Sequence, residues 1–273
     1  MYSTDGHSTY PIQPDISRNT SDYREKVVLW NPVTKNPAVL FQFNIEKDQR
    51  SNFLIIPDGC MELLFKCNET SPQILLFGKR TLLHYLKLEA GNTYFGYRPF
   101  YEAGLRLRGL SNPDLIDQIV ELHDFPEAEA LLISLINAKS FKQRCNIFAK
   151  TGIKAFWASD RSNDFLIECS RRICLSHGTL DIDSLGRTLG YTNRHIRKRY
   201  KDFFGIPPVT FKQLIRFQNS IRLLSNAEGC ERLDFAQLSQ TSGYYDQSYM
   251  IRDYKKYVQM TPKGLHESVF TKR

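Results

Sequence analysis

The side chains best equipped for chemistry in this chain of 273 residues are basic and amide groups gathered in its last third. Asn193, Arg194, Arg197, Lys198 and Lys201 fall within nine positions, and Gln247, Ser248 and Arg252 within six. On a helix each set shares one outward face, and its groups suit the major groove of duplex DNA, where Arg and Lys donate to guanine O6 and N7 and Gln pairs with adenine. Groups for covalent or metal chemistry are scattered by comparison. His7, His84, His123, His177, His195 and His266 are isolated from one another, without the paired spacing of a metal centre. Cys60, Cys67, Cys145, Cys169, Cys174 and Cys230 include no C-x-x-C pair, so reduced structural thiols are expected. Cys60 lies between Asp58 and Glu62, a setting that disfavours a thiolate nucleophile. The sequence therefore assigns no catalytic residue, metal or cofactor, and the chain reads as a binding protein, not an enzyme.

The elements that must hold those faces occur twice. Leu185-Gly186-Arg187-Thr188-Leu189-Gly190-Tyr191 is followed by the basic run to Lys201 and by Phe203 to Pro208; Leu238 to Tyr244 is followed by Asp246 to Lys256 and by Tyr257 to Pro262. Leu185, Gly190 and Tyr191 recur 53 positions later, whereas Tyr200 and Pro208 recur at 54, so the second copy has one extra residue after its glycine. Within a copy, Ile182, Leu185 and Leu189 form the stripe of a short helix. Gly190 then supplies the positive φ that ends it. Thr192 or Asn193 caps the next helix, whose inward stripe is Ile196, Tyr200 and Phe203. In the second copy Asp246 is the cap, and Met250 and Tyr254 face inward. Pro208 opens a bridging helix with Phe211, Leu214, Ile215, Ile221 and Leu224 on one stripe. Such a bridge can hold two recognition helices about one DNA turn, ~34 Å, apart.

The stretch from about 182 to 270 resembles the DNA-binding domain of AraC/XylS-type bacterial transcription regulators. The most specific match is Gly243-Tyr244-Tyr245-Asp246-Gln247-Ser248-Tyr249-Met250-Ile251-Arg252-Asp253-Tyr254-Lys255 with Thr261-Pro262. The resemblance implies transcription regulation, activation included, with base-reading positions on Arg194, Arg197, Lys198, Gln247, Ser248 and Arg252. Gln259 stands where the family has glycine, so strain is expected there. Ser239 and Ser242 replace apolar or small residues, which implies looser packing. Asp246 and Asp253 are expected to weaken phosphate attraction at the second helix.

Charge follows the same division. From Asp181 onward there are 16 Lys and Arg against 9 Asp and Glu, a net +7 of the chain's +8. Binding through such a face should weaken steeply with salt. No apolar run approaches the ~18 residues of a membrane span, and the polar N-terminus lacks a signal-peptide core. A cytoplasmic protein without a membrane partner is expected.

The first 180 residues carry weaker signals. Residues 1–22 read as a mobile arm. Short apolar runs between 23 and 110, broken at Asn31-Pro32, Asn36-Pro37, Pro57-Asp58-Gly59, Ser71-Pro72, Gly91-Asn92 and Arg98-Pro99, read as an antiparallel barrel or sandwich. Residues 110–122 turn helical in period, and 126–148 read as one or two more helices. The layout also resembles the family, whose members often place a cupin-like β-barrel sensor and a helical pair before the DNA reader. The fold expected is α+β: an N-terminal antiparallel β-barrel, cupin-like, with helices, then an all-α domain of two helix-turn-helix units joined by a long helix. Its parts are the arm, a β-rich sensor domain over 23–110, a helical connector with a dimerisation role over 111–160, and a tandem helix-turn-helix domain over 165–273. Tyr94, Tyr97, Arg98 and Tyr101 could line a pocket for a small anion or sugar, or be ordinary core and rim. The partners expected are double-stranded DNA, with RNA polymerase, a small-molecule effector and a second copy in a homodimer compatible with it. Two rival classes stay open: a DNA-modifying enzyme that docks through the helical domain, and a constitutive regulator whose N-terminal domain binds a protein.

Overall fold

Ten strands and ten helices can be traced in the structure, a computed structural model that describes residues 11–29, 37–100, 106–107, 110–123, 126–152, 156–158, 164–226 and 233–270. The strands are β1 (Ser21–Leu29), β2 (Pro37–Ile45), β3 (Asn52–Ile55), β4 (Glu62–Cys67), β5 (Gln73–Phe77), β6 (His84–Lys87), β7 (Asn92–Pro99), β8 (Arg106–Leu107), β9 (Ile119–Glu121) and β10 (Trp157–Ala158). The α-helices, numbered in chain order, are α1 (Pro14–Asn19), α2 (Pro126–Asn137), α3 (Phe141–Ile147), α4 (Asp164–Leu175), α5 (Ile182–Leu189), α6 (Asn193–Phe204), α7 (Pro208–Asn226), α8 (Phe235–Thr241), α9 (Gln247–Val258) and α10 (Pro262–Leu265).

The N-terminal part is an antiparallel six-stranded sheet in the order β1-β2-β7-β4-β5-β9, with two short ribbons, β3-β6 and β8-β10. Alternation along its strands sorts two cores. Phe41, Phe43, Leu64 and Tyr94 meet Phe53, Ile55 and Leu86 of the β3-β6 ribbon on one face. On the other, Leu40, Leu63, Phe65, Phe95 and Tyr97 meet Leu131 and Leu135 of α2 and Phe148 after α3. The outer strand β1 exposes Arg24, Glu25 and Lys26, charges that discourage another chain from pairing with this edge.

Three expectations change here. Asn92 to Pro99, bracketed as breaks, is the central strand β7, paired with β2 and β4. Aromatic strand formers outweigh the turn residues at its two ends. Residues 110–122 are not one helix. They form a 3-10 turn at Pro113–Leu115 and then β9 on the edge of β5. Asp117 sits between them at φ 55°, where its carboxylate accepts the backbone N–H groups of Thr81 (2.7 Å) and Leu82 (3.1 Å), and this long-range anchorage overrides local helical period. The arm expected over 1–22 is docked from Pro11 onward. Gln13 Oε1 accepts from Ile56 N–H at 3.0 Å while its Nε2 donates to Ile56 O at 2.9 Å, so a side chain pairs with the backbone as a strand would. Asp15 accepts from Leu54 N–H and pairs with Arg50, both at 2.6 Å.

In the C-terminal part a single core joins α4 to α10 and extends across to Leu54, Ile56 and Cys60 of the sheet domain. Two contacts fix the join. Asn112 Nδ2 donates to Phe203 O at 2.8 Å, and Gln218 of α7 accepts Ile12 N–H (3.1 Å) while donating to Pro57 O (2.8 Å).

A single methyl group probes the sheet core. At Gly96, in the middle of β7, an added Cβ would stand 2.0 Å from Phe41 Cζ, and the Phe41 ring is also held beneath the Arg98 guanidinium at 4.8 Å. Gly96→Ala is expected to destabilise the chain by about 1–3 kcal/mol, as overpacking does, seen as a lower denaturant midpoint with unchanged slope.

Candidate nucleic-acid interface

Each copy of the repeat builds the same device from its own sequence. In the first, Asp181 caps α5 by accepting from Asp183 and Ser184 N–H at 3.1 and 3.0 Å. Gly190 ends the helix at φ 73°, and Thr192 caps α6 by accepting from His195 N–H at 3.2 Å. Gly186 lets the two helices close up, since a Cβ there would meet Asn193 Oδ1 at 2.4 Å. In the second, Asp234 caps α8 and Gly243 takes φ 82°. Asp246 caps α9 by accepting from Tyr249 N–H at 2.6 Å. These satisfied N–H groups explain why both helices start where they do.

The repeat is longer than the motif. Tyr200 of α6 shares a hydrogen bond with Ser170 of α4 at 2.8 Å, and Tyr254 of α9 accepts one from Ser220 of α7 at 3.0 Å. All four side chains are buried. Thus α4 supports the first unit as α7 supports the second. Sequence reading missed α4's part, although Ser170 and Ser220, 50 residues apart, carried a signal.

The outward faces stand as their spacing requires. Arg194, Arg197, Lys198 and Lys201 are exposed along α6, while Ile196, Tyr200 and Phe203 are buried. Gln247, Ser248 and Arg252 are exposed on α9, opposite Met250 and Tyr254. Asn193 is half-buried and donates to Asp183 Oδ1 at 2.7 Å; Arg197 pairs with the same oxygen at 3.3 Å. Both partners of that ion pair are more than half exposed, so it contributes little and leaves Arg197 able to exchange Asp183 for a phosphate. The Arg252 guanidinium lies 5.0 Å from the centre of the Tyr249 ring, which presents its planar fork outward.

Asp253 does not face outward. It is 6% exposed and lies 3.4 Å from Arg216 of α7, so the weakening of phosphate attraction expected from it falls away. Burial pushes its carboxyl up from the ordinary range while Arg216 holds it down. Arg216 also sits beneath Tyr244 and Tyr249, at 4.5 and 4.9 Å from their ring centres. It locks α9 to the bridging helix and was not legible as such in the sequence. Ser242 is buried with its hydroxyl donated to Leu238 O at 2.6 Å, whereas Ser239 Oγ is buried without a hydrogen-bond partner.

The structure does not gather the residues considered for an effector pocket. Tyr94 and Arg98 lie on one face of β7 and Tyr97 on the other, as alternation demands. Tyr94 stacks on Phe43, and Arg98 pairs with Glu62 at 2.6 Å; all three candidates are at most 2% exposed. Tyr101 lies outside the described residues. Among the described residues no group of three His, Cys, Asp or Glu is placed to hold a metal ion, and no helix is long and apolar enough to cross a membrane.

Gln259 does adopt the left-handed conformation, at φ 58°, ψ 18°, and its N–H donates to Lys255 O at 3.2 Å to close α9. A non-glycine residue costs about 1–2 kcal/mol there. Gln259→Gly is therefore expected to raise stability by about 0.5–1 kcal/mol after the added freedom of the unfolded chain is deducted, a change readable in the thermal midpoint.

Residues 185–268 match a family model described as a helix-turn-helix domain. No curated protein matches the sequence. Among solved structures, ToxT from Vibrio cholerae O395 is similar at 15% identity and a TM-score of 0.44, over 92% of this chain and 99% of that one. Unsaturated fatty acid-bound wild-type ToxT from Vibrio cholerae strain SCE256 aligns at 14% identity and a TM-score of 0.40, over 93% and 97%.

Proposed function

We propose that the chain is a DNA-binding transcription regulator, its residues 185–268 matching a helix-turn-helix domain, and that α6 and α9 enter successive major grooves on one face of the duplex. The observation that carries this is the doubled device itself: two helices, each anchored inward by a Tyr-Ser hydrogen bond, each presenting basic or amide groups outward. Arg194, Arg197, Lys198 and Lys201 supply the larger share of phosphate attraction. Gln247, Ser248 and Arg252 supply directional hydrogen bonds. The bridging helix α7, 19 residues long, spans about 28 Å at 1.5 Å per residue and sets the separation.

The N-terminal domain modulates this reader in the same proposal. Its route is physical, through Asn112 on the C-terminal end of α6 and through Pro57, Ile12 and Gln218 on α7. A cavity of about 410 Å³ beside β5, β9 and α2, lined by Ile74, Leu122, Leu132, Ile133 and Ile136 with Glu129 among them, is a place for an effector to bias that route. Its size is within the range of small-molecule sites.

Selection from random duplexes at moderate and high salt tests the reader directly. A bipartite motif with its halves about one turn apart, losing affinity steeply with salt, is expected. Alanine at Arg194 or at Arg252 should each cost about 1–3 kcal/mol of discrimination in its own half-site. Unchanged specific affinity in both variants would sink the assignment.

A further inference from the structure

The second unit carries one residue more than the first, and the structure shows which. In the first unit Tyr191 is followed at once by the cap Thr192; in the second, Tyr244 is followed by Tyr245 and only then by the cap Asp246. Tyr245 is the insertion. It is 95% exposed, more than any other large apolar or aromatic side chain among the described residues.

Its neighbours hold it there. On one side Gly243 is fixed at φ 82° and Tyr244 is buried at 4% exposure under the Arg216 guanidinium. On the other, Asp246 is clamped by its bond to Tyr249 N–H. The backbone through Tyr245 is thus held on both sides, and its exposed phenol ring immediately precedes the cap of α9, two and three positions before the exposed Gln247 and Ser248. A ring so exposed makes no contribution to the core, although the residues on either side of it are fixed. Residues at the N-terminal end of a recognition helix are the ones that reach base edges. An aromatic face has no bidentate hydrogen-bonding pattern; what it reads in the major groove is the apolar thymine methyl.

We infer that Tyr245 is a specificity-determining residue of the second half-site, packing its ring against the methyl group of one thymine. The inference rests on the reading of the domain as a DNA reader, and the two fail in different ways.

The test uses the full chain and the duplex recovered by selection, with each thymine of the second half-site and its flank replaced in turn by deoxyuridine, which removes only the methyl. One position is expected at which the replacement weakens wild-type binding about fourfold, the equivalent of one buried methyl-sized group. Tyr245→Phe should show the same penalty there, and Tyr245→Ala none. A penalty of equal size in wild type and Tyr245→Ala, or no penalised position, overturns the assignment while leaving the reader intact. Uniform weakening of every duplex by Tyr245→Ala, with base preference unchanged, overturns it in favour of a backbone contact. Failure of the wild-type chain to select any motif overturns the reader and this residue together.

Discussion

Helix α7 is the part on which everything else is hung, and the bonds made by Gln218 are what tie it to the rest of the chain. One face of α7 carries Phe211, Leu214, Ile215 and Ile221 into the core shared by both helix-turn-helix units. Gln218, 5% exposed, uses both ends of its carboxamide on the N-terminal domain, taking Ile12 N–H and giving to Pro57 O. Gly59 lies against the same helix, where an added Cβ would stand 3.3 Å from Leu214 Cδ1. Gly178, in the turn after α4, lies closer still, its Cβ position 2.3 Å from Lys212 O. A helix gripped by backbone as well as side chains cannot rotate without breaking buried hydrogen bonds, each expensive to leave unmade. The spacing of the two reading faces is therefore a property of the whole chain.

The grip relies on the Pro57-Asp58-Gly59 turn, and the turn relies on charge. Asp58 is fully buried, accepting from Gln13 Nε2 at 2.8 Å and from Arg80 at 3.2 Å, while Glu62 holds Arg98 at 2.6 Å and Arg80 at 3.4 Å. Two carboxylates against two guanidiniums is a neutral set, which is the condition for charges to survive burial. The match is not complete: Arg80 Nε and Nη1 are buried without hydrogen-bond partners. Lys79, beside them, bonds Gly59 O at 3.4 Å and lies 4.8 Å from the centre of the Phe204 ring, and burial lowers its pKa. The same burial pushes the Cys60 thiol well up, consistent with a cysteine that packs and does not react. Buried ion pairs of this kind are weak sources of net stability, but an arrangement that tolerates only one geometry is well suited to fixing a turn against a helix.

How much of this was legible depended on whether the determining contact was local. Both helix-turn-helix units could be read because each step in them is a short-range event: Asp181 and Asp246 cap within three residues, Gly190 turns, and Ile196 and Tyr200 face inward by period. Even the extra residue of the second copy was visible as a change of spacing from 53 to 54. The antiparallel strands were legible from their turns. What failed was long-range. Asn92 to Pro99 became a central strand because β2 and β4 flank it, and Asp117 bent a helix-like period into β9 by reaching Thr81 and Leu82, 36 and 35 residues away. Residues 11–20 look disordered in composition, yet Gln13 and Asp15 substitute for backbone partners at Ile56 and Leu54. Asp253 was misjudged for the same reason, since nothing near it in sequence announces Arg216 of α7.

The two units are alike in backbone and unlike in what holds them. The first receives its orientation partly from outside the helical domain: Asn112 takes up the Phe203 carbonyl at the end of α6, and the Cβ position of Gly205 lies 2.8 Å from Ile116 Cδ1. The second is held from within, by Arg216 wedged between Asp253, Tyr244 and Tyr249 and by Ser220 on Tyr254. Any strain imposed on the sheet domain through the Asn112 turn therefore arrives first at α6. The more densely charged of the two outward faces, that of α6, is thus the one tied most directly to the sheet domain.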